Sequence, residues 1–276
     1  MRGHKLLFLA FLFNASLSSG IVQAHAGDHR SLSELDRLIT QNPLQASLLV
    51  ARGALYSRTG LWEKAERDLT LAETLVGKED VAFEFGQLYY RSGQYDRALG
   101  YIDAYIHAYP AYVPAFLLQA RAASEAKQLD LAIESYRAYF RLSATPQPGE
   151  YIVAAKLFAA STSEGSKKAL ELLDFGMEKV GLNAQLQRLA VKLEVDLGNT
   201  GGALTRWYSL IDQLGHSAEW NTTLAKLMIL DNKLEEARQV ILKTKMLLAS
   251  SKQSPAKISA SKAIVDLELK MAHPNN

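Results

Sequence analysis

Cysteine is absent from all 276 residues of the sequence. The absence excludes disulfide bonds, thiolate nucleophiles and cysteine-based metal sites. It also excludes a bacterial lipoprotein, because such a protein carries its lipid on a cysteine that follows the amino-terminal apolar run. The lack of disulfides is compatible with an oxidising compartment but does not require one.

The sequence also lacks an excess of charge of one sign. The formal net charge of +2 comes from Arg2 and Lys5, and the residues after them contain 29 basic and 29 acidic side chains. Proteins that bind nucleic acid need a basic face. The near-neutral remainder therefore argues against a nucleic-acid partner.

Apolar runs of about 20 residues, the length that spans a bilayer, are missing as well. The apolar run Leu6–Phe13 is shorter, and it lies between the basic residues Arg2 and Lys5 and small-residue sequences that end at Ala24 and Ala26. This order is typical of a secretory signal peptide over the first 26 residues. We therefore expect a periplasmic mature protein without a transmembrane anchor; an uncleaved membrane anchor is the alternative.

Common catalytic and phosphate-binding motifs are not found in the sequence. It has no Gly-x-Ser-x-Gly elbow, no His-Glu-x-x-His and no phosphate-cradling loop. The glycine-rich segment GNTGG (198–202) lacks a lysine and falls where a turn between two helices is expected. No nucleophile, base and orienting group come together. We therefore expect neither enzymatic activity nor a cofactor.

The amino terminus left by signal cleavage supports an alternative hypothesis, a metal-handling accessory protein. Cleavage after Ala26 would produce a free amine at Gly27, followed by Asp28 and His29. The amine, the imidazole and the two intervening amides could bind Cu(II) or Ni(II) in a square plane. Cleavage after Ala24 would instead place His25 first, as an amine–imidazole chelate.

The clearest positive feature of the chain is a repeat. Six alanines recur at spacings of 33, 34, 37, 34 and 34 residues: Ala65, Ala98, Ala132, Ala169, Ala203 and Ala237. Twelve residues before them stand Gly53, Gly86, Ala120, Leu157, Val191 and Ala225. Five residues before them stand Gly60, Gly93, Lys127, Glu164, Gly198 and Asn232. Four residues after them stand Leu69, Ile102, Tyr136, Leu173, Trp207 and Ile241.

This frame predicts two antiparallel helices in each repeat. Glycine or asparagine five residues before the alanine tolerates the positive φ of a short turn. A small residue on each helix lets the two backbones approach, and the large apolar residue one turn later fills the space beside them. The chain is therefore predicted to be an array of one helix-pair unit.

Two segments carry a resemblance to a known family. GALYSRTGLWEKAERDL (53–69) and GQLYYRSGQYDRALGYI (86–102) resemble the tetratricopeptide repeat, with Tyr56 and Tyr89 at its tyrosine position and Trp62 and Tyr95 at its second-helix aromatic position. The later repeats keep the alanine and the period but have other residues in the tyrosine slot, such as Glu194. The resemblance implies an all-α fold, a right-handed α-solenoid of about six helix pairs over residues 46–246.

Helices are also expected at both ends of the array, because repeat proteins need polar caps over their last core faces. An amino-terminal tail and capping helix are predicted in residues 27–45, over Ser31–Gln41, and a linker and capping helix in residues 247–276, over Ile258–Met271. The segment SATPQPGE (143–150) accounts for the 37-residue spacing. We expect it to be a lengthened loop between repeats rather than a domain boundary.

The resemblance implies that the first helix of each repeat lines a concave groove, at positions fifteen and eleven before the alanine. The partner-binding candidates at these positions and beside them are Phe83, Gln87, Tyr90, Arg91, Leu117, Arg121, Phe158, Arg188, Lys192 and Lys226. The amino-terminal half of this set is apolar and aromatic, and the carboxy-terminal half is basic, with Asp80, Asp196 and Glu219 diluting the basic character. A protein or peptide segment with an apolar stretch followed by acidic residues would suit it. The implied function is a periplasmic adaptor that assists an envelope assembly or secretion process.

Overall fold

The computed structural model describes residues 31–161 and 164–272, and the predicted signal peptide lies outside them. All regular secondary structure in the described residues is helical, which confirms the predicted all-α fold. The helices are α1 (Leu32–Gln41), α2 (Ala46–Arg58), α3 (Trp62–Val76), α4 (Lys78–Arg91), α5 (Tyr95–Ala108), α6 (Val113–Glu125), α7 (Leu129–Leu142), α8 (Pro148–Ser161), α9 (Gly165–Val180), α10 (Ala184–Asp196), α11 (Thr200–Tyr208), α12 (Ile211–Leu214), α13 (Ala218–Leu230), α14 (Leu234–Ser250) and α15 (Pro255–Ala272).

The chain divides into two compact units, Met1–Leu142 and Ser143–Asn276. In unit 1, helix α1 precedes the packed pairs α2–α3, α4–α5 and α6–α7. In unit 2, the packed pairs are α8–α9, α10–α11 and α13–α14, and α15 packs on the last of them. The division falls at the segment 143–150, where the sequence predicts a lengthened loop and where Pro148 begins α8.

The alanine frame marks the line along which the two helices of each pair meet. All six alanines are 0% exposed, and the large residues four positions later are buried as well. The first pair shows why a small residue is needed opposite the alanine. A Cβ atom added to Gly53 would lie 3.0 Å from Leu69 Cγ and 3.3 Å from the carbonyl oxygen of Ala65. The close approach predicted from the sequence is therefore present.

The turn between the two helices adopts a positive φ in five of the six repeats, including two without glycine. Lys127 has φ 62° and Asn232 has φ 57°. Asparagine tolerates this region, whereas lysine adopts it at a cost of about 1–2 kcal/mol. In the fourth repeat the same position is Glu164, which has φ −95° and is the N-cap residue of α9.

The second helix of the fifth repeat is broken into α11 and α12. The carbonyl oxygen of Arg206, which would accept the next helical hydrogen bond, instead accepts from Ser209 Oγ at 2.7 Å and from Gln187 Nε2 at 2.7 Å. Leu210 N–H therefore turns to the carbonyl of Trp207 at 3.3 Å. A serine side chain that competes for the backbone explains the interruption.

The fifth repeat also has a carboxylate where the first two have a tyrosine. Glu194 is only 8% exposed. Its Oε1 accepts from Arg206 Nε at 2.9 Å, and its Oε2 accepts from Asn199 Nδ2 at 2.8 Å. Arg206 also makes a two-point contact with Asp174, at 2.5 and 2.8 Å. This arginine joins α9, α10 and α11, and the pairing makes the burial of Glu194 tolerable.

The structure has a helix at each predicted capping position. Ser31 is the N-cap of α1, and its hydroxyl accepts from Glu34 N–H at 3.3 Å. Helix α15 begins at Pro255, three residues earlier than the sequence predicts, because proline is favoured in the first turn of a helix. It buries Ala260, Ile264 and Leu267 against the last repeat.

Candidate partner-binding grooves

The first groove lies within unit 1, between the first helices of the second and third repeats. Helix α4 provides four lining side chains and α6 provides four more. The groove has a volume of about 360 Å³, and we call it the unit 1 groove; its lining residues are Phe83, Gln87, Tyr90, Arg91, Pro114, Leu117, Leu118 and Arg121. Six of these eight residues are partner-binding candidates from the sequence. They are all of the candidates in unit 1, and the structure brings them together in one groove.

The floor of the unit 1 groove is aromatic. Phe83 is 5% exposed, and its ring lies 5.3 Å from the ring of Tyr105 and 5.0 Å from that of Tyr112, edge to face in the second case. Such pairs favour a fixed mutual orientation. Burial raises the pKa of both phenols, so they stay neutral at physiological pH. The floor therefore presents aromatic rings to an apolar side chain, and the buried carboxylate of Glu84, whose charge also raises the pKa of both phenols, lies near them.

Two guanidinium groups stand beside this floor. Arg91 donates to Gln87 Oε1 at 2.8 Å and to Ser57 Oγ at 3.2 Å, which fixes its position. Desolvation and the nearby charge of Arg58 lower the pKa of Arg91, while Glu84 opposes them. Arg121 is the second cation, and the residues that line this groove include no acidic side chain. An anionic group would therefore be stabilised here.

The second groove lies within unit 2, between α10 and α13, and also has a volume of about 360 Å³. We call it the unit 2 groove. Its lining residues are Arg188, Val191, Lys192, Val195, Asp196, Trp207, Glu219, Thr223, Lys226, Leu227 and Leu230. Three of the sequence-nominated residues, Arg188, Lys192 and Lys226, thus share one groove.

Acidic residues neutralise part of the positive charge of the unit 2 groove. Arg188 Nη1 lies 3.2 Å from Glu219 Oε1, and Lys192 Nζ lies 3.8 Å from Asp196 Oδ2. Both pairs are exposed, so each contributes only about 0–1 kcal/mol and leaves the cations accessible. Lys226 makes no ion pair with any residue that the structure describes.

Two stacked indoles support the unit 2 groove from below. The rings of Trp207 and Trp220 are nearly parallel, with centroids 3.5 Å apart, and Trp207 lines the groove. Arg188 Cζ lies 5.6 Å from the Trp220 ring, within the range of a cation–π interaction. Leu227 and Leu230 also line this groove but are not among the partner-binding candidates from the sequence. Their spacing is the same as that of core residues, so the sequence does not distinguish them from the core.

The remaining nominated residues are placed differently. Phe158 on α8 is buried, and it is not among the residues that line either groove. The proposed metal-binding residues His25, Asp28 and His29 lie outside the described residues. Within the described residues, no group of three or more His, Asp or Glu side chains could hold a metal ion, and no helix is long and apolar enough to cross a membrane.

Comparison with known proteins identifies the repeat. Residues 83–145 match the family model described as a tetratricopeptide repeat. No curated protein sequence matches the chain. Among solved structures, the carboxy-terminal part of a repeat-containing protein of this type from Cytophaga hutchinsonii is 14% identical with a TM-score of 0.62, and the match covers 83% of this chain and 92% of that one.

A second solved structure, PilF of Pseudomonas aeruginosa, is 18% identical with a TM-score of 0.51, and the match covers 70% of this chain and 87% of that one. At such identities the likeness extends to the fold alone. The alanine frame, the six helix pairs and the match over residues 83–145 together show a tetratricopeptide-like helical repeat fold.

Proposed function

We propose that this protein is a non-catalytic periplasmic scaffold that holds an extended segment of a protein partner in the unit 1 groove, and that it assists an envelope assembly or secretion process. The observation that carries the proposal is the combination of Phe83, Arg91 and Arg121 in one open groove without an acidic lining residue. Recognition of this kind uses pockets for side chains along an extended or helical peptide.

The chemistry of the unit 1 groove supports a partner segment with two features. An apolar side chain on the half-buried Leu117 and Leu118 would bury apolar area at roughly 25 cal/mol per Å². A carboxylate beside it would pair with Arg91 or Arg121, and guanidinium groups favour such contacts because of their fork geometry. A segment that is apolar and then acidic meets both requirements.

The periplasmic location rests on the signal-like sequence at the amino terminus. Its test is mass spectrometry of the mature protein recovered from a periplasmic fraction. We expect an amino terminus directly after Ala24 or Ala26. Recovery of the full-length chain from the cytoplasm would contradict this part of the proposal.

The binding role is tested with a photo-crosslinking amino acid placed in the exported protein at Gln87, inside the unit 1 groove. A matched variant carries the same group at Arg67, which is exposed on α3 and does not line the groove. We expect a defined protein adduct at position 87 that is absent at position 67. Equal adducts at the two positions, or none at position 87, would contradict a partner in the groove.

A further inference from the structure

The two grooves are the same site in two copies. Seven of the eight residues that line the unit 1 groove have a counterpart in the unit 2 groove 105 positions later, and that spacing also separates Ala98 from Ala203 and Ala132 from Ala237. The corresponding residues are Phe83 and Arg188, Gln87 and Lys192, Tyr90 and Val195, Arg91 and Asp196, Pro114 and Glu219, Leu118 and Thr223, and Arg121 and Lys226. Each groove is therefore built by the first helices of two successive repeats, at the same register.

One chemical feature is common to both grooves. Arg121 in unit 1 and Lys226 in unit 2 occupy the same position, and each puts a cation at the groove. Apolar side chains lie in both linings, for example Leu117 in unit 1 and the exposed Leu230 in unit 2. Both sites thus offer a cation next to apolar surface.

A second feature distinguishes the grooves. Arg91 of unit 1 corresponds to Asp196 of unit 2, which reverses the charge at that position. In addition, Glu219 of unit 2 stands where unit 1 has the uncharged Pro114. The unit 1 groove therefore attracts an anion more strongly than the unit 2 groove does.

We propose that each unit has its own docking site and that the chain binds two partner segments at once, each with an acidic side chain on the shared cation and an apolar side chain beside it. The proposal rests on the proposed function, because it assigns the same kind of partner to both grooves. The unit 1 site is the tighter one.

The stoichiometry is measured by isothermal titration calorimetry of the full mature chain with a short synthetic peptide in which leucine and glutamate alternate. We expect two peptides per chain. The charge reversals Arg121→Glu and Lys226→Glu should each remove one site, and the double variant should remove both. Lys243→Ala, at an exposed position on α14 outside both grooves, is the matched control and should keep two sites.

Tryptophan fluorescence shows which site is occupied. The sequence has three tryptophans, and Trp207 and Trp220 both lie in unit 2. In a Trp62→Phe background the signal therefore comes from unit 2 alone. We expect a peptide-dependent change that Lys226→Glu abolishes and Arg121→Glu preserves.

Four results would overturn the proposal: no binding of the peptide, one peptide per wild-type chain, loss of both sites in one single variant, or two sites retained in the double variant. These results are distinct from a failure of the proposed function, which the crosslink at position 87 tests. If a partner crosslinks at position 87 but the titration gives one peptide per chain, the scaffold function stands and the second docking site is wrong.

Discussion

Gly86 on α4 lies directly against Ile102 on α5: a Cβ atom added to the glycine would come within 2.6 Å of Ile102 Cγ1. Real Cβ contacts are not that short, so the backbones of this helix pair can approach only because position 86 has no side chain. Ile102 is in turn buried, one helical turn after Ala98. The pair shows in atomic terms what the repeat frame predicts.

Gly86→Ala should destabilise the protein by up to about 2 kcal/mol. Overpacking costs about 1–3 kcal/mol, which outweighs the roughly 1 kcal/mol that alanine gains over glycine in a helix. Gly100→Ala is the control, because that glycine is exposed on α5 with open space around its Cα. The control should stabilise by about 0.5–1 kcal/mol. If urea unfolding shows that both variants change the free energy of unfolding in the same direction, the packing described here is wrong.

Lys127→Gly should stabilise the protein by up to about 1 kcal/mol. Lys127 holds φ at 62°, and glycine relieves this strain, although it loses more chain entropy on folding. Lys127→Ala removes the same side chain but keeps a Cβ atom, so it should give no gain. Chemical denaturation of both variants measures the change in the free energy of unfolding. A comparable stabilisation by Lys127→Ala would show that loss of the lysine side chain, and not relief of the positive φ, is the cause.

Arg206→Met should cost about 3–5 kcal/mol, since it leaves the carboxylate of Glu194 buried without its cation. Arg238→Met is the matched control: Arg238 pairs with Glu235 at 2.9 Å, but both side chains are exposed. The control should change the free energy of unfolding by no more than about 1 kcal/mol. If urea unfolding gives similar losses of unfolding free energy in the two variants, the burial of the Glu194 carboxylate is not the cause of the larger cost.

Tyr109 makes the folded state sensitive to alkaline pH. Its hydroxyl donates to Asp80, and this hydrogen bond together with burial raises the pKa of Tyr109 to about 12. The ordinary pKa of tyrosine is about 10. Because the folded-state pKa is the higher one, the stabilisation is complete below pH 10 and is lost as the pH rises from about 10 to 12. Tyr109→Phe should show a smaller fall in unfolding free energy over that range, and parallel curves for the two proteins would contradict the assignment.

The frame of buried alanines was predictable because helix pairs pack through a fixed local spacing, which the sequence repeats six times. The direction of an individual side chain was less predictable. Phe158 stands eleven positions before its alanine, as Arg121 does, yet it is buried and lines neither groove. Spacing from the alanine alone does not decide whether an aromatic side chain at this position lies in the core or at a groove.

Charge at the grooves shows a similar limit. The sequence predicts an apolar amino-terminal half and a basic carboxy-terminal half. In the structure, Arg91 and Arg121 give the unit 1 groove two cations and no acidic lining residue, whereas Asp196 and Glu219 partly neutralise the unit 2 groove. Asp196 lies one helical turn after Lys192 on α10, so its place at the groove follows from spacing within one repeat. The pair of Arg188 and Glu219 joins two repeats, and spacing within one repeat does not predict that contact.

The central claim, that the unit 1 groove binds an acidic and apolar segment, is tested most directly by the affinity of the segment captured at position 87, synthesised as a peptide. Arg121→Glu should weaken binding at least about tenfold, equivalent to about 1.4 kcal/mol. Arg121→Lys should weaken binding less than Arg121→Glu, because it keeps the positive charge but not the fork geometry of the guanidinium. Thermal unfolding of both variants should stay close to wild type because surface substitutions usually change stability by no more than about 0.5 kcal/mol. Unchanged affinity of Arg121→Glu in low salt would contradict the account.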